Sequence, residues 1–157
     1  MAAGLAAYWL LRPTDEERIQ KQLSTLMAAL NLMPSEAPLK RLHQSGTAAE
    51  CFTLEATVEV QGAGEAGSMQ GRGQISEGIR AARMTLQQLE LDVRETEIVV
   101  DPSSDSAEMK LTVRARVNAD PSVALHFLRL QWIKTNSTWL IHRVASSSPF
   151  RRVDTPR

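Results

Sequence analysis

Cysteine, tyrosine and unbalanced charge are what this sequence lacks. Cys51 is the one cysteine in 157 residues, so no intrachain disulfide forms and no thiolate cluster is available to hold zinc. The 18 basic and 18 acidic side chains cancel, and no Lys/Arg block is long enough to give the electrostatic footprint of a nucleic-acid binder. Nucleic acid is therefore not an expected partner. The histidines, His43, His126 and His142, have no HxH or HxxxH spacing, which removes the usual two-histidine metal arrangement. No metal or cofactor is expected. Gly62, Gly64, Gly67, Gly71 and Gly73 are not followed by the lysine and hydroxyl residue of a phosphate-binding loop, so the stretch 61–73 reads as a flexible loop.

Long hydrophobic runs are also missing. The longest uncharged apolar stretch, MAAGLAAYWLL, stops at Arg12-Pro13 and falls short of the roughly 17–25 residues of a spanning helix. We expect residues 1–13 to be part of a membrane anchor that continues upstream of Met1, with Tyr8 and Trp9 at the interface. The alternative is a short apolar helix packed on the domain or a partner. The protein is accordingly expected at a membrane, on either side of it, or else soluble in the cytoplasm.

What is present is a clean succession of periodic segments, enough for one domain with its own core. Thr14 followed by Asp15, Glu16 and Glu17 forms a capping box, with acids at the positive end of the helix dipole. Ile19, Leu23, Leu26, Met27 and Leu30 then recur at helical spacing, predicting a helix that ends before Pro34. A second helix is expected from Pro38 through Cys51, with Leu39, Leu42, Ala49 and Phe52 toward the core. Thr53–Val60 alternates as a strand with Leu54, Ala56, Val58 and Val60 on one face. Gln74–Thr85 returns to helix, with Ile75, Ile79, Ala82 and Met84 inward. Leu86–Asp101 is a strand whose phase changes, so an extra residue between Arg94 and Thr96 is expected to make a bulge. Three further strands follow, separated by Asp120-Pro121-Ser122 and Asn136-Ser137-Thr138. In the first of them, Met109, Leu111, Val113, Ala115 and Val117 alternate with polar residues, the period of a sheet with one buried face.

This order of elements, together with the ending QWIKTNSTWLIHRVASS and the stretch GRGQISEGI, resembles the nuclear transport factor 2-like, or SnoaL-like, superfamily. The resemblance covers roughly residues 14–148 and leaves 149–157 as a flexible tail. It implies an α+β, cystatin-like cone: N-terminal helices packed on a strongly bent antiparallel sheet, leaving a pocket. It also implies a fold that hosts both isomerases or dehydratases and inactive binding proteins, so activity must come from the pocket residues.

Those residues are sparse. Pocket enzymes of the family combine an acidic or histidine base with a tyrosine or protonated aspartate, and the one tyrosine, Tyr8, lies outside the cone. Asp92, Asp101, Asp105 and Asp120 sit at turns or on a polar strand face. His142 is the best general-base candidate, because Leu140, His142 and Val144 are expected to share one face. Arg114 and Arg116, joined by Arg129 and Arg143 on neighbouring strands, are candidates for holding an anionic ligand. The simpler reading is a solvated face balanced by Glu90, Asp92 and Glu55. Trp132 is a candidate for lining an apolar ligand site or a sheet-to-sheet homodimer contact. The expected function is a non-catalytic, membrane-tethered binding or assembly domain acting through its pocket or sheet face. The alternative is a small-molecule isomerase or dehydratase with a pocket His or Asp as base.

Overall fold

The computed structural model describes residues 12–61, 66–147 and 151–153. Helix α1 (Asp15–Leu30) opens on the expected capping box: the Glu17 amide donates to Thr14 Oγ1 at 3.2 Å, and the Thr14 amide donates to Glu17 Oε2 at 2.8 Å. Helix α2 (Pro38–Ala49), strands β1 (Phe52–Gln61) and β2 (Ala66–Gln70), and helix α3 (Gly71–Thr85) follow. Strands β3 (Leu89–Asp101), β4 (Ser106–Val117), β5 (Val123–Thr135), β6 (Thr138–Ser146) and β7 (Arg151–Val153) complete the order. The sheet runs β2-β1-β6-β5-β4-β3, with β7 paired to β5. Every pairing is antiparallel except β1 with β6.

This is the expected α+β cone. Ala107, Met109, Leu111, Val113 and Ala115 of β4 are buried, and so are Leu130, Trp132, Trp139, Ile141 and Val144 of β5 and β6. They form an apolar inner face that meets Ile19, Leu23 and Leu26 of α1 and Ile75 of α3. The expected bulge lies at Arg94: the β3–β4 register shifts between Val93 and Glu95, and the extra residue bends the strand. Asn136 and Ser137 both have positive φ, 49° and 66°, which makes the two-residue turn whose twist suits a hairpin.

Several expectations are corrected. The glycine-rich stretch is not all loop, because 66–70 is a strand on β1 and α3 begins at Gly71, whose φ of 84° makes the corner; residues 62–65 lie outside the described residues. The tail contributes a short strand, with Leu125 opposite Arg151 and Val123 opposite Val153. Leu54 is 73% exposed, because the β1–β6 pairing is irregular between Phe52 and Thr57.

The largest correction concerns how the helices are rotated. Leu39 and Leu42 of α2 and Met84 of α3 were expected inward and are 82%, 56% and 66% exposed, whereas Arg83 is 2% exposed. The cause is a hydrogen-bond knot. No basic residue lies in the last turn of α1, and its terminal carbonyls need donors. Arg83 supplies them: Nη1 donates to the carbonyls of Ala29, Leu30 and Asn31, while Nη2 pairs with Glu36. Arg41 does the same for α3, with Nη1 donating to the carbonyls of Arg83 and Leu86 at 2.8 and 3.1 Å and Nε to that of Glu36. Pointing both guanidinium groups inward turns Leu39, Leu42 and Met84 outward.

The knot predicts a large asymmetric effect. Arg83→Met leaves the buried Glu36 carboxylate with only the longer contact to the exposed Lys40 ammonium at 3.7 Å and takes the donor from three carbonyls, so the variant should lose about 3–5 kcal/mol of unfolding free energy in urea titrations. A loss below about 1 kcal/mol would show that the pair is dispensable.

Candidate functional site

Residues directly opposite one another in an antiparallel pair project to the same side of a sheet, and this register assigns each candidate to a face. His126 stands opposite Val113, which is 4% exposed on the inner face, so His126 faces inward. His142 does not. The β5–β6 register steps from Trp132 opposite Ile141 to Gln131 opposite Arg143, leaving His142 as the extra residue of a second bulge. The bulge changes the phase of β6: Trp139, Ile141 and Val144 are buried, whereas Leu140 and His142 lie on the other side. The expected shared face of Leu140, His142 and Val144 is thus broken. His142 Nδ1 lies 3.0 Å from Thr53 Oγ1, an arrangement that ties β6 to the start of β1. The sequence carried a signal for this that was not used: in TWLIHRVAS the bulky apolar residues pass from odd positions, Trp139 and Ile141, to the even position Val144 across the polar pair His142-Arg143.

Trp132 is completely buried among core side chains, and its Nε1 has no hydrogen-bond partner among the described residues. It fills the cone instead of lining one of its hollows. Arg114 and Arg116 lie on the outer face, opposite Asp92 and Glu90. Arg116 Nη1 is 3.8 Å from Glu90 Oε2, while the Asp92 carboxylate pairs with Arg94 at 3.1 Å. Arg129 and Arg143 share this face, each within 3.2 Å of a cross-strand carboxylate, Glu108 and Glu59 respectively. The four arginines are therefore brought to one surface, and ion pairing across strands is the common pattern there. Glu90 and Asp92 act as the expected balance, with Glu59 and Glu108 in the place expected for Glu55.

The hollows lie at the periphery. A 510 Å³ groove runs between α2 and α3 beside Leu39, Leu42 and Met84, and a 540 Å³ groove separates α1 from β3 beside Met27, Leu91 and Val93. On the outer face a 340 Å³ hollow lies between Arg129 and Arg143. The interior carries no polar constellation of catalytic type among the described residues. Ser45 and Arg83 are the buried polar residues among those described; Ser45 Oγ donates to the Arg41 carbonyl at 2.9 Å, and the two Nη atoms of Arg83 are engaged in the knot while its Nε has no partner among the described residues. No group of His, Cys, Asp and Glu among the described residues is arranged to hold a metal. No helix among them is long and apolar enough to cross a membrane, and residues 1–11, which hold most of the expected anchor, lie outside them.

Four titratable groups among the described residues have environments that shift them; one, Asp101, is held below the ordinary aspartate value by hydrogen bonds from Ser103 and Ser104 at the β3–β4 turn. Burial lowers the pKa of His126 and favours its neutral form. Burial, helped by the nearby Glu50 charge, pushes the Cys51 thiol up to about 11. Asp15, at the start of α1, accepts from the Trp139 indole at 3.0 Å and from Lys134 Nζ at 3.2 Å. The indole hydrogen bond, followed by the contact with Lys134, holds its carboxyl below the ordinary aspartate value. The contact clamps α1 onto the β5–β6 hairpin.

Two outcomes follow. Cys51 should react with a thiol reagent only on unfolding, and fast labelling of native protein would contradict its burial. The Asp15 clamp has its full stabilising effect above the ordinary aspartate range and loses it as pH falls through the depressed folded value. The stability gap between wild type and Asp15→Asn in urea should therefore close on going from about pH 7 to about pH 3. A gap independent of pH would exclude the ionised carboxylate as its source.

Residues 39–145 match the SnoaL-like domain family. Among solved structures, the fold is similar to a putative scytalone dehydratase from Novosphingobium aromaticivorans at TM-score 0.66 and 11% identity, covering 91% of this chain and 89% of that one. It is similar to an NTF2-like protein of unknown function from Pseudomonas putida at TM-score 0.65 and 10% identity, with 83% and 84% covered. A cystatin-like-fold protein of unknown function from Nostoc punctiforme gives TM-score 0.63 and 14% identity over 87% and 93%. No curated protein matches the sequence. These identities support the likeness of fold alone, while the match over residues 39–145 supplies the family: the chain belongs to the SnoaL-like domain family, with an NTF2-like cone.

Proposed function

We propose that this domain is a non-catalytic binding or assembly module that works through the outer face of its sheet. The observation that carries the reading is the contrast between the two faces. The inner face is occupied by Met109, Leu130, Trp132 and Ile141, with no acid–base pair on it among the described residues. The outer face bears no helix among the described residues and mixes cross-strand ion pairs with the apolar side chains Val99, Phe127, Ile133 and Leu140. Val99 is 63% exposed. Alternating charge with scattered apolar groups suits a self-complementary contact, and a second copy of the chain is the partner we assign to it. In this reading the N-terminal apolar run tethers the domain to a membrane and holds copies at high local concentration.

Light scattering after size exclusion tests the assembly. The chain should form a dimer that dissociates on dilution, and Val99→Asp should shift it to monomer with an unchanged circular dichroism spectrum. A wild-type monomer at high concentration would remove the homodimer. Membrane fractionation of the chain with and without residues 1–13 tests the tether, and equal partitioning would remove it.

One observation favours a second reading, isomerase or dehydratase chemistry: His126 is a neutral-favouring imidazole on the inner face. It requires a ligand to enter beside Val93 and Val113. A His126 resonance unmoved by a panel of small aromatic ketones and alcohols would count against it.

A further inference from the structure

The outer face carries a juxtaposition that strand pairing by itself disfavours. Lys110 of β4 stands directly opposite Arg129 of β5 and, on its other side, opposite Glu97 of β3; the Lys110–Arg129 pair sets like charges at opposed positions, which repel, while carboxylates flank the row. On the next strand Arg143 stands opposite Gln131, while Arg129 stands opposite Ala145. The two arginines are thus diagonal neighbours, a relation that places side-chain origins about 7–8 Å apart. Three cations lie across three adjacent strands.

Between the arginines lies the 340 Å³ hollow, completed by Gln131, Ala145, Ser146 and Ser147. Its lining contains guanidinium, amide and hydroxyl groups and no carboxylate. Glu108 and Glu59 stand outside it, and each takes one nitrogen of its arginine: Nε of Arg129 and Nη2 of Arg143. A guanidinium has five N–H donors, so both arginines retain donors. Ser146 stands opposite the inner-face Leu128 and its Oγ accepts from the Gln61 amide at 2.9 Å, so the side-chain donors the register directs to the outer side are those of Arg129, Arg143 and Gln131. Both arginines are about half exposed, 51% for Arg129 and 47% for Arg143, and the hollow opens to solvent.

We propose that this hollow is an oxyanion site, taking the phosphoryl or carboxylate end of a larger molecule between Arg129 and Arg143. Two guanidinium groups set across a gap match the spread oxygens of such a group, and its charge relieves the repulsion between Lys110 and Arg129. The cluster differs from the Arg114–Arg116 pair singled out in the sequence in having a hollow between its two guanidinium groups. The site rests on the outer face being a working surface and not on dimerisation, so it binds in monomeric Val99→Asp as well.

Amide chemical shifts of the full chain, titrated with inorganic phosphate against chloride at equal ionic strength, provide the test. Saturable shifts should centre on Arg129, Arg143, Ser146 and Ser147. Arg143→Gln and Arg129→Gln should each weaken binding by about tenfold or more, whereas Arg116→Gln, outside the hollow, should leave it unchanged. Shifts that do not saturate, or equal losses in all three variants, would mean general charge screening and overturn the site. Phosphatidylcholine vesicles with and without phosphatidylglycerol then separate the sources. Displacement of phosphate by the anionic vesicles alone assigns the site to a lipid headgroup, and retention of phosphate assigns it to a soluble anion. If Val99→Asp is monomeric and still binds phosphate, the site stands independently of assembly; a wild-type monomer that binds phosphate removes the homodimer and keeps the site.

Discussion

The arrangement of this domain depends on one buried cation, the Arg83 guanidinium. It closes the C-terminal end of α1, which lacks a basic residue of its own, and balances the buried Glu36 carboxylate. Arg41 in turn closes the end of α3 and grips the Glu36 backbone. Each helix end is thereby capped by a side chain from another helix, so α1, α2, α3 and the segment between α1 and α2 are fixed as a unit. A buried pair of this kind gives little net stability compared with an apolar replacement of both partners, yet it is costly to break singly. Its effect here is geometric: it sets the rotation of α2 and α3.

The rotation has consequences for both surfaces. Turning the arginines inward presents Ile75 to the core and leaves Leu39, Leu42 and Met84 beside an open groove. The sheet covers the other side of the helices, bent by the bulge at Arg94 and re-phased by the one at His142. Because the second bulge lies between Ile141 and Val144, both of those apolar residues reach the core while the histidine between them is directed away. Apolar packing then fills the middle of the cone with Met109, Leu130, Trp132 and Ile141. On the outer face, arginines and carboxylates are half exposed.

The fold was largely legible in the sequence because its signals are local. The capping box at Thr14, the stripe of Ile19, Leu23 and Leu26, the period-two pattern of β4 and the phase change near Arg94 each report a backbone preference that tertiary contacts reinforce. The candidate site was much less legible. Arg83 and Arg41 carried no signal of their own, since nothing in a helix's own sequence says that its polar face will cap a neighbour. A signal existed in the absence of a basic residue from the last turn of α1, and it required knowing which helix lies alongside. His142 was misplaced because Leu140, His142 and Val144 were read as one row, whereas the shift from Trp139 and Ile141 to Val144 marks the same kind of phase change as in β3, and pairing with β5 fixes it at His142. The outer arginines were found as a group, but their partition into pairs and a hollow depends on cross-strand register.

The central claim is that the outer face, not the interior, is where this domain meets other molecules. Amide chemical shifts followed through a dilution series of the full chain test it most directly. The account predicts concentration-dependent changes on the outer-face positions of β3 to β6, including Val99, Gln131 and Leu140, with Val93, Val113 and His126 unchanged. Changes concentrated on those three inner-face residues would contradict it.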